Sequence, residues 1–328
     1  MSSDPTRRRF LLGGGTVAAL ALAGCVGDDT NSGDNSTDNT DETMDNSSME
    51  DDDDSMEDEG SMDDGTMESV TMTVRIENVA PTDFYPSDAS TGGQIWITPG
   101  AYAVHTGTNP IYTEGESATI GLEALAEAGP PTGFEGEPGL VDELTEMANM
   151  GMDNEMEGDD SMDDDSTDDD SMDGSMEESA VLHAGAYTPE NTVADPNDPM
   201  GSVPGAPPIA PGGAFEFEIE AEPGQRLSFA SMFVPSNDLF FSPSPEGIAL
   251  WPADGEPVAG DVTDAIGLYD AGTEPNGEPG FDPDQAPAQN SPDQGDDEGG
   301  VVRPLREVAD GFEYPAVEDA IQVTVAPQ

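Results

Sequence analysis

The chain has 328 residues and carries 72 aspartates and glutamates against seven arginines and no lysine, a formal net charge of −65. Such a surface repels nucleic acid and anionic lipid, so neither is expected as a charge-matched partner. The length fits one large domain or two small ones.

A dense carboxylate shell suits water of multimolar salt, where screening acts within about 3 Å at 1 M. The composition therefore points to an extreme halophile and, among those, to a haloarchaeon. Segments with a core-like pattern are also acidic and lack lysine, which separates this chain from an ordinary acidic disordered protein.

The N-terminal "TRRRFLLGGGTVAALALAGC" places Arg7 and Arg8 before an apolar run that ends in Leu22-Ala23-Gly24-Cys25. This has the form of a twin-arginine (Tat) signal peptide over 1–24 with a lipobox. The run falls well short of the ~20 residues that a membrane span needs. The expectation is cleavage before Cys25, lipidation of its thiol, and an extracytoplasmic, lipid-anchored protein at the cell surface. Cys25 is the only cysteine, so no disulfide within the chain is possible.

Residues 25–69 read as a stalk. The stretch 28–69 holds 18 acids, no base and no aromatic. It cannot bury enough surface to offset the entropy of ordering, which predicts disorder. Asn35 and Asn46 lie in Asn-x-Ser/Thr sequons, consistent with a glycosylated stalk. A second acidic tract, 151–179, repeats the same Ser-Met-acid units and is expected to loop out as a low-complexity insert. Its methionines would offer thioether ligands to a soft metal, but neither tract contains histidine.

Between and after the tracts lies sequence that can fold. "VTMTVRIENVA" (70–80) alternates as a strand. "QIWITPGAYAVH" (94–105) reads as a strand broken at Pro99-Gly100. "ESATIGLEALAEAG" (116–129) and "GLVDELTEMANM" (139–150) have helical spacing, and the first stops at Gly129. "AFEFEIEAEPGQRLSFASMFVPSND" (214–238) reads as a hairpin turned by "EPGQ". "GIALW" (247–251), "DAIGLYD" (264–270) and "AIQVTVAP" (320–327) add short strands. The predicted fold is mainly β: an antiparallel β-sandwich over 70–328 with one or two short helices.

The segments "GLEALAEAG", "RLSFASMFVPSNDLFF", "LYDAGTEPNGEPG" and "YPAVEDAIQVTV", in this order, resemble the spondin N-terminal domain in its prokaryotic secreted form. The resemblance runs over 70–328 without the 151–179 insert. It implies a C2-like sandwich binding calcium at one end of the strands and, from the animal members, a role in extracellular adhesion. Carried over residue by residue, it assigns the calcium carboxylates to Asp238 in "PSNDL" and to Asp270 and Glu274 in "YDAGTE". This chain departs from the family pattern at Asn237, where the family has Pro, at Leu239, where it has Trp, and at Glu274, where it has Asp. The last change lengthens one ligand arm. Gly272 would permit the tight turn between Asp270 and Glu274.

Two function classes follow. The first is a lipid-anchored, calcium-binding module for adhesion or ligand binding, with a cell-surface glycan or protein as partner. The second is an extracytoplasmic hydrolase or carbohydrate-active protein on the same scaffold. The sequence contains no nucleophile elbow, zinc-protease helix, P-loop or dinucleotide fingerprint, and only two histidines, His105 and His183. The expectation is therefore that the protein is not an enzyme. A cleft lined by aromatics such as Tyr85, Trp96, Tyr102 or Trp251, with a carboxylate pair away from Asp238, Asp270 and Glu274, would favour the second class.

Overall fold

The computed structural model describes residues 69–134, 136–155, 180–194, 196, 208–252 and 255–328. Arg7, Arg8, Cys25, the stalk as far as residue 68 and residues 156–179 of the insert lie outside the described residues. The chain divides into two units, Met1–Met62 and Asp63–Gln328, and everything described belongs to the second.

The fold is mainly β, with two antiparallel sheets and two α-helices among the described residues. The strands are β1 (Val70–Asn78), β2 (Trp96–His105), β3 (Val181–Tyr187), β4 (Thr192–Ala194), β5 (Ala214–Ala221), β6 (Arg226–Val234), β7 (Leu239–Pro243), β8 (Ile248–Ala249), β9 (Gly260–Asp261), β10 (Ile266–Asp270), β11 (Arg303–Pro304) and β12 (Ile321–Pro327). One sheet runs β4-β5-β1-β12-β9. The other runs β11-β10-β7-β6-β2-β3, with β8 beside β6. The helices are α1 (Ile120–Ala128) and α2 (Leu140–Glu155).

The five-stranded sheet follows from alternation. In β5, Phe215, Phe217 and Ile219 are buried while Glu218 and Glu220 are exposed. Burying each such apolar side chain contributes roughly 1.5–3 kcal/mol. A one-residue slip would exchange them for the glutamates, so the pattern fixes which face turns inward. Met72, Val74 and Ile76 of β1 and Val323 and Val325 of β12 complete that inner face. It packs on Val104, Leu227, Phe229, Phe233 and Phe241 from the other sheet. Tyr102 stacks on Phe217 across the interface, with ring centres 4.6 Å apart.

The seven-stranded sheet is covered on both faces. Its outer face carries Ala101, Ala103, Ala230, Phe240 and Tyr269, which pack with Leu122, Leu125 and Leu144 of the helices. The alanines are small enough for the helices to lie close. Strand β6 is therefore buried almost throughout, and this corrects the hairpin reading of 214–238. "EPGQ" does turn the chain, with Gln225 N donating to Glu222 O at 3.1 Å. But β5 and β6 then enter different sheets: the alternating strand stays in the sheet with one face to water, and the almost wholly buried strand takes the centre of the covered one.

Strand β2 also differs from its sequence reading. It is not interrupted at Pro99-Gly100 but passes through as a bulge, where the register with β6 shifts between Ile97 and Gly100. Proline, which lacks an N–H, is accommodated at the irregular point. Thr98 ties it down: its Oγ1 accepts from Met232 N at 2.9 Å and its carbonyl from Ser231 Oγ at 3.0 Å. A Cβ on Gly100 would overlap Ala230 O and the Tyr187 hydroxyl. Gly100→Ala is accordingly expected to cost about 3 kcal/mol or more, read as a lower unfolding midpoint at fixed salt; a midpoint equal to wild type would show that the backbone yields.

Helix α1 begins at Thr119, whose Oγ1 accepts from Leu122 N at 3.2 Å, and ends at Gly129 with φ 94°. Glu143 of α2 accepts from Gly121 N at 2.8 Å and fixes the two helices together. Helix α2 runs to Glu155, past the expected end at 150 and into the acidic tract.

Candidate functional site

The end of β10 is where the sequence-predicted carboxylates are placed. Asp270 is the last residue of β10. It is in register with Leu239 of β7 on one side and Arg303 of β11 on the other. Asp238, one residue before β7, is thereby brought alongside, and its carbonyl accepts from Ala271 N at 3.2 Å. The chain then turns at Gly272, which has φ 70°. A Cβ there would lie 2.5 Å from Val301 N, so both the backbone conformation and the space call for glycine.

Asp238 and Asp270 are 0% exposed and Glu274 is 2% exposed. Acids on a protein surface stand in water; these three do not. Asp238 Oδ2 accepts from Thr273 N at 2.8 Å, from Thr273 Oγ1 at 3.3 Å and from Glu274 N at 3.2 Å. Asp270 Oδ2 accepts from Asn276 Nδ2 at 2.6 Å. Glu274 Oε1 accepts from Gly295 N at 2.8 Å. Each carboxylate leaves its other oxygen buried with no hydrogen-bond partner: Asp238 Oδ1, Asp270 Oδ1 and Glu274 Oε2.

Asp270 Oδ1 faces Arg303 Nη2 at 3.3 Å, and the same nitrogen meets Glu298 Oε1 at 3.0 Å. Burial pushes the Asp270 carboxyl above the usual range, while Arg303 opposes the rise. Burial, and then the charge of Asp270, push Asp238 up to about 7. Burial also pushes Glu274 up to about 7, against the hydrogen bond from Gly295. A set of acids held this far from ionising favours either protons or a cation.

The three do not converge on one point. Among the described residues, the group of three carboxylates with oxygens all within 4.8 Å of one another is Glu123, Glu127 and Asp293. Asp238 and Asp270 form a pair, and Glu274 sits beyond it, where its charge bears on Glu127.

The departures at 237 and 239 have structural uses. Asn237 Oδ1 accepts from Gly277 N and from Gln285 Nε2, both at 2.9 Å. Gln285, fully buried, also accepts from Gly280 N at 2.8 Å. This network holds the 276–285 loop over the pair. Leu239 is buried in the core. Sequence reasoning passed over Arg303, although scarcity marks it: it is one of four arginines outside the N-terminus.

Other candidates fall elsewhere. His105 is buried, with Nε2 2.8 Å from Ser228 Oγ, and burial pushes its pKa down to about 4. Tyr102 is between the sheets, and Tyr85 and Trp251 pack against the core. A cavity of about 570 Å³ between Thr98, Gly129, Phe134, Pro189 and Asn290 has no carboxylate in its lining. Comparison with protein-family models gave no match, and comparison with curated protein sequences gave none either.

Proposed function

We propose that the chain is a lipid-anchored, extracytoplasmic module of the spondin N-terminal kind, which binds a cell-surface glycan or protein through loops stiffened by calcium. The observation that carries this reading is the Asp238–Asp270 pair: two fully buried carboxylates at one end of the seven-stranded sheet, with Asp238 Oδ1 unpartnered and Asp270 Oδ1 met only by the Arg303 guanidinium. The residue resemblance assigns calcium to the same pair.

The donor set fits a hard cation. Calcium takes six to eight oxygens from carboxylates, carbonyls and water, and Asp238 and Asp270 would hold it; Glu274, the third carboxylate that the resemblance assigns, does not converge with them. When bound, calcium would neutralise the paired charge. The chain's own groups do the rest: Asn276 and Thr273 orient the two carboxylates, Asn237 and Gln285 hold the covering loop, and Arg303, on the β11 side, is the counter-charge that the ion competes with for Asp270. The role is binding rather than catalysis. Anchoring through Cys25 and export through the Arg7-Arg8 signal belong to the same proposal.

Capture from intact cell envelope in constant multimolar KCl tests it. The full-length protein is expected to retain an envelope component when calcium is present and to release it on chelation, whereas Asp238→Asn retains none in either case. Equal retention by wild type and Asp238→Asn would count against a calcium-dependent binding face.

A further inference from the structure

We propose that the cavity walled by Thr98, Gly129, Phe134, Pro189, Gln289 and Asn290 is a binding site for a neutral saccharide. Its volume of about 570 Å³ falls within the span of small-molecule sites, roughly 300–1,000 Å³. The bulge of β2, the end of α1, the start of the β3–β4 connection and the 289–292 stretch between β10 and β11 all contribute to its wall.

The lining selects an uncharged ligand. None of its side chains is ionisable, in a chain with 72 acids among 328 residues. An anion meets no cation there, and the net charge of −65 repels it from a distance. A cation would give up its water with no counter-charge in the wall, while carboxylates compete for it everywhere else.

The same lining disfavours a wholly apolar ligand. Gln289 Nε2 donates to Glu127 O at 3.1 Å, which fixes the carboxamide, and its Oε1 is buried with no hydrogen-bond partner. A buried acceptor left in this way calls for a donor. Asn290, the next residue, is held in place as well. Its backbone N and its Nδ2 donate to Gln294 Oε1 at 2.8 and 3.2 Å, and Gln294 Nε2 donates to Asp284 Oδ1 at 2.6 Å. The polar part of the wall is therefore set before a ligand arrives. Six prolines and Phe134 make up much of the rest. Proline has a fixed φ and no N–H, so these stretches give a stiff, apolar surface. A ring with hydroxyl donors on its rim and C–H groups on its faces matches both parts of the wall, and that describes a neutral sugar. This rests on the reading above only in taking the partner to be a glycan; the cavity includes neither Asp238 nor Asp270.

Saturation-transfer NMR of the full-length protein in constant multimolar KCl tests it, with methyl α-glucoside, methyl α-mannoside, methyl β-galactoside and glucuronate as probes. At least one neutral glycoside is expected to bind, and glucuronate is not. Titration of the bound glycoside is expected to show about tenfold weaker affinity in Phe134→Ala, which loses the aromatic wall, and about fivefold weaker affinity in Asn290→Ala. Asn290 is exposed and Phe134 half-buried, so neither variant removes a core side chain. Chelation, and Asp238→Asn, are expected to leave the affinity unchanged. Binding of no neutral glycoside, equal binding of glucuronate, or wild-type affinity in either cavity variant would overturn the site. Loss of sugar binding on chelation or in Asp238→Asn would also overturn it, by moving the ligand to the calcium pair. Sugar binding that persists while calcium-dependent capture from the envelope fails would instead sink the Asp238–Asp270 reading and leave this one standing.

Discussion

Asp270→Asn is expected to abolish the response of the unfolding midpoint to calcium at constant monovalent salt. In the wild-type protein, an ion that binds only the folded state stabilises it by about 2.7 kcal/mol at a hundredfold excess over Kd, and chelation removes that gain. The asparagine keeps the shape and the contact with Asn276 but loses the charge that faces Asp238 and Arg303. Without metal its effect on stability is mixed, because it weakens the Arg303 pair while relieving the repulsion with Asp238. The calcium response is therefore the quantity to compare. Arg303→Gln separates the two roles. It removes a competing cation only 3.3 Å from Asp270 Oδ1, so calcium affinity should rise. A wild-type midpoint indifferent to both calcium and chelator would end the calcium reading and leave Arg303 as the counter-charge of a structural carboxylate pair.

Metal-free protein at constant high salt is expected to lose stability as the pH rises between 4.5 and about 9. These are the ordinary value and the folded-state value of the Glu127 carboxyl, raised first by burial and then by Glu274. A carboxyl whose folded pKa lies above its unfolded one is protonated in both states at low pH, where its contribution is fully present. As the pH climbs, the unfolded chain releases the proton first, and the contribution is gone once the folded value is passed. Each pH unit between the two values is worth about 1.4 kcal/mol, so the effect of Glu127 alone reaches several kcal/mol. Asp238 and Glu274, each raised to about 7, act in the same direction over the lower part of the range. Glu127→Gln should match wild type near pH 4 and exceed it near pH 9 without metal. Thermal unfolding across the range reads all of this; a variant that tracks wild type at every pH would show that Glu127 does not carry the slope.

The sequence made β1, β5 and β12 legible because one face of their sheet meets water, so apolar and polar residues alternate. It misled at β6, since a strand covered on both faces has no alternation to reveal its partners. Strand β7, "LFFSP", is too short and too uniformly apolar to announce itself. At the site, the resemblance carried by "PSND" and "DAGTE" implied that Asp238 and Asp270 lie near one another, with Gly272 at the turn. The position of Glu274 could not be read, since its side chain is held by Gly295, 21 residues further on, in a loop without pattern. Glu123 and Glu127 did leave a trace, as two acids at i and i+4 on a helix whose other residues at 122, 125 and 126 are buried. What the spacing could not supply was Asp293, which only the folded connection brings to them.

The pairing of β1 with β12 sets the order in which the protein can be completed. Residues 72 and 327 are register partners, and β1 lies between β5 and β12 in its sheet. A ribosome emits β1 well before β5, and the strand that shields the other edge of β1 emerges about a hundred residues later still. Until then the nascent chain presents an open, apolar-faced edge, which is a hazard for strand addition between neighbouring chains. Pairing across so long a separation is also slow, because a large loop must close before the contact repays it. Closure of the sheet thus waits for β12, and a chain stopped before residue 321 would be caught with its central strand exposed.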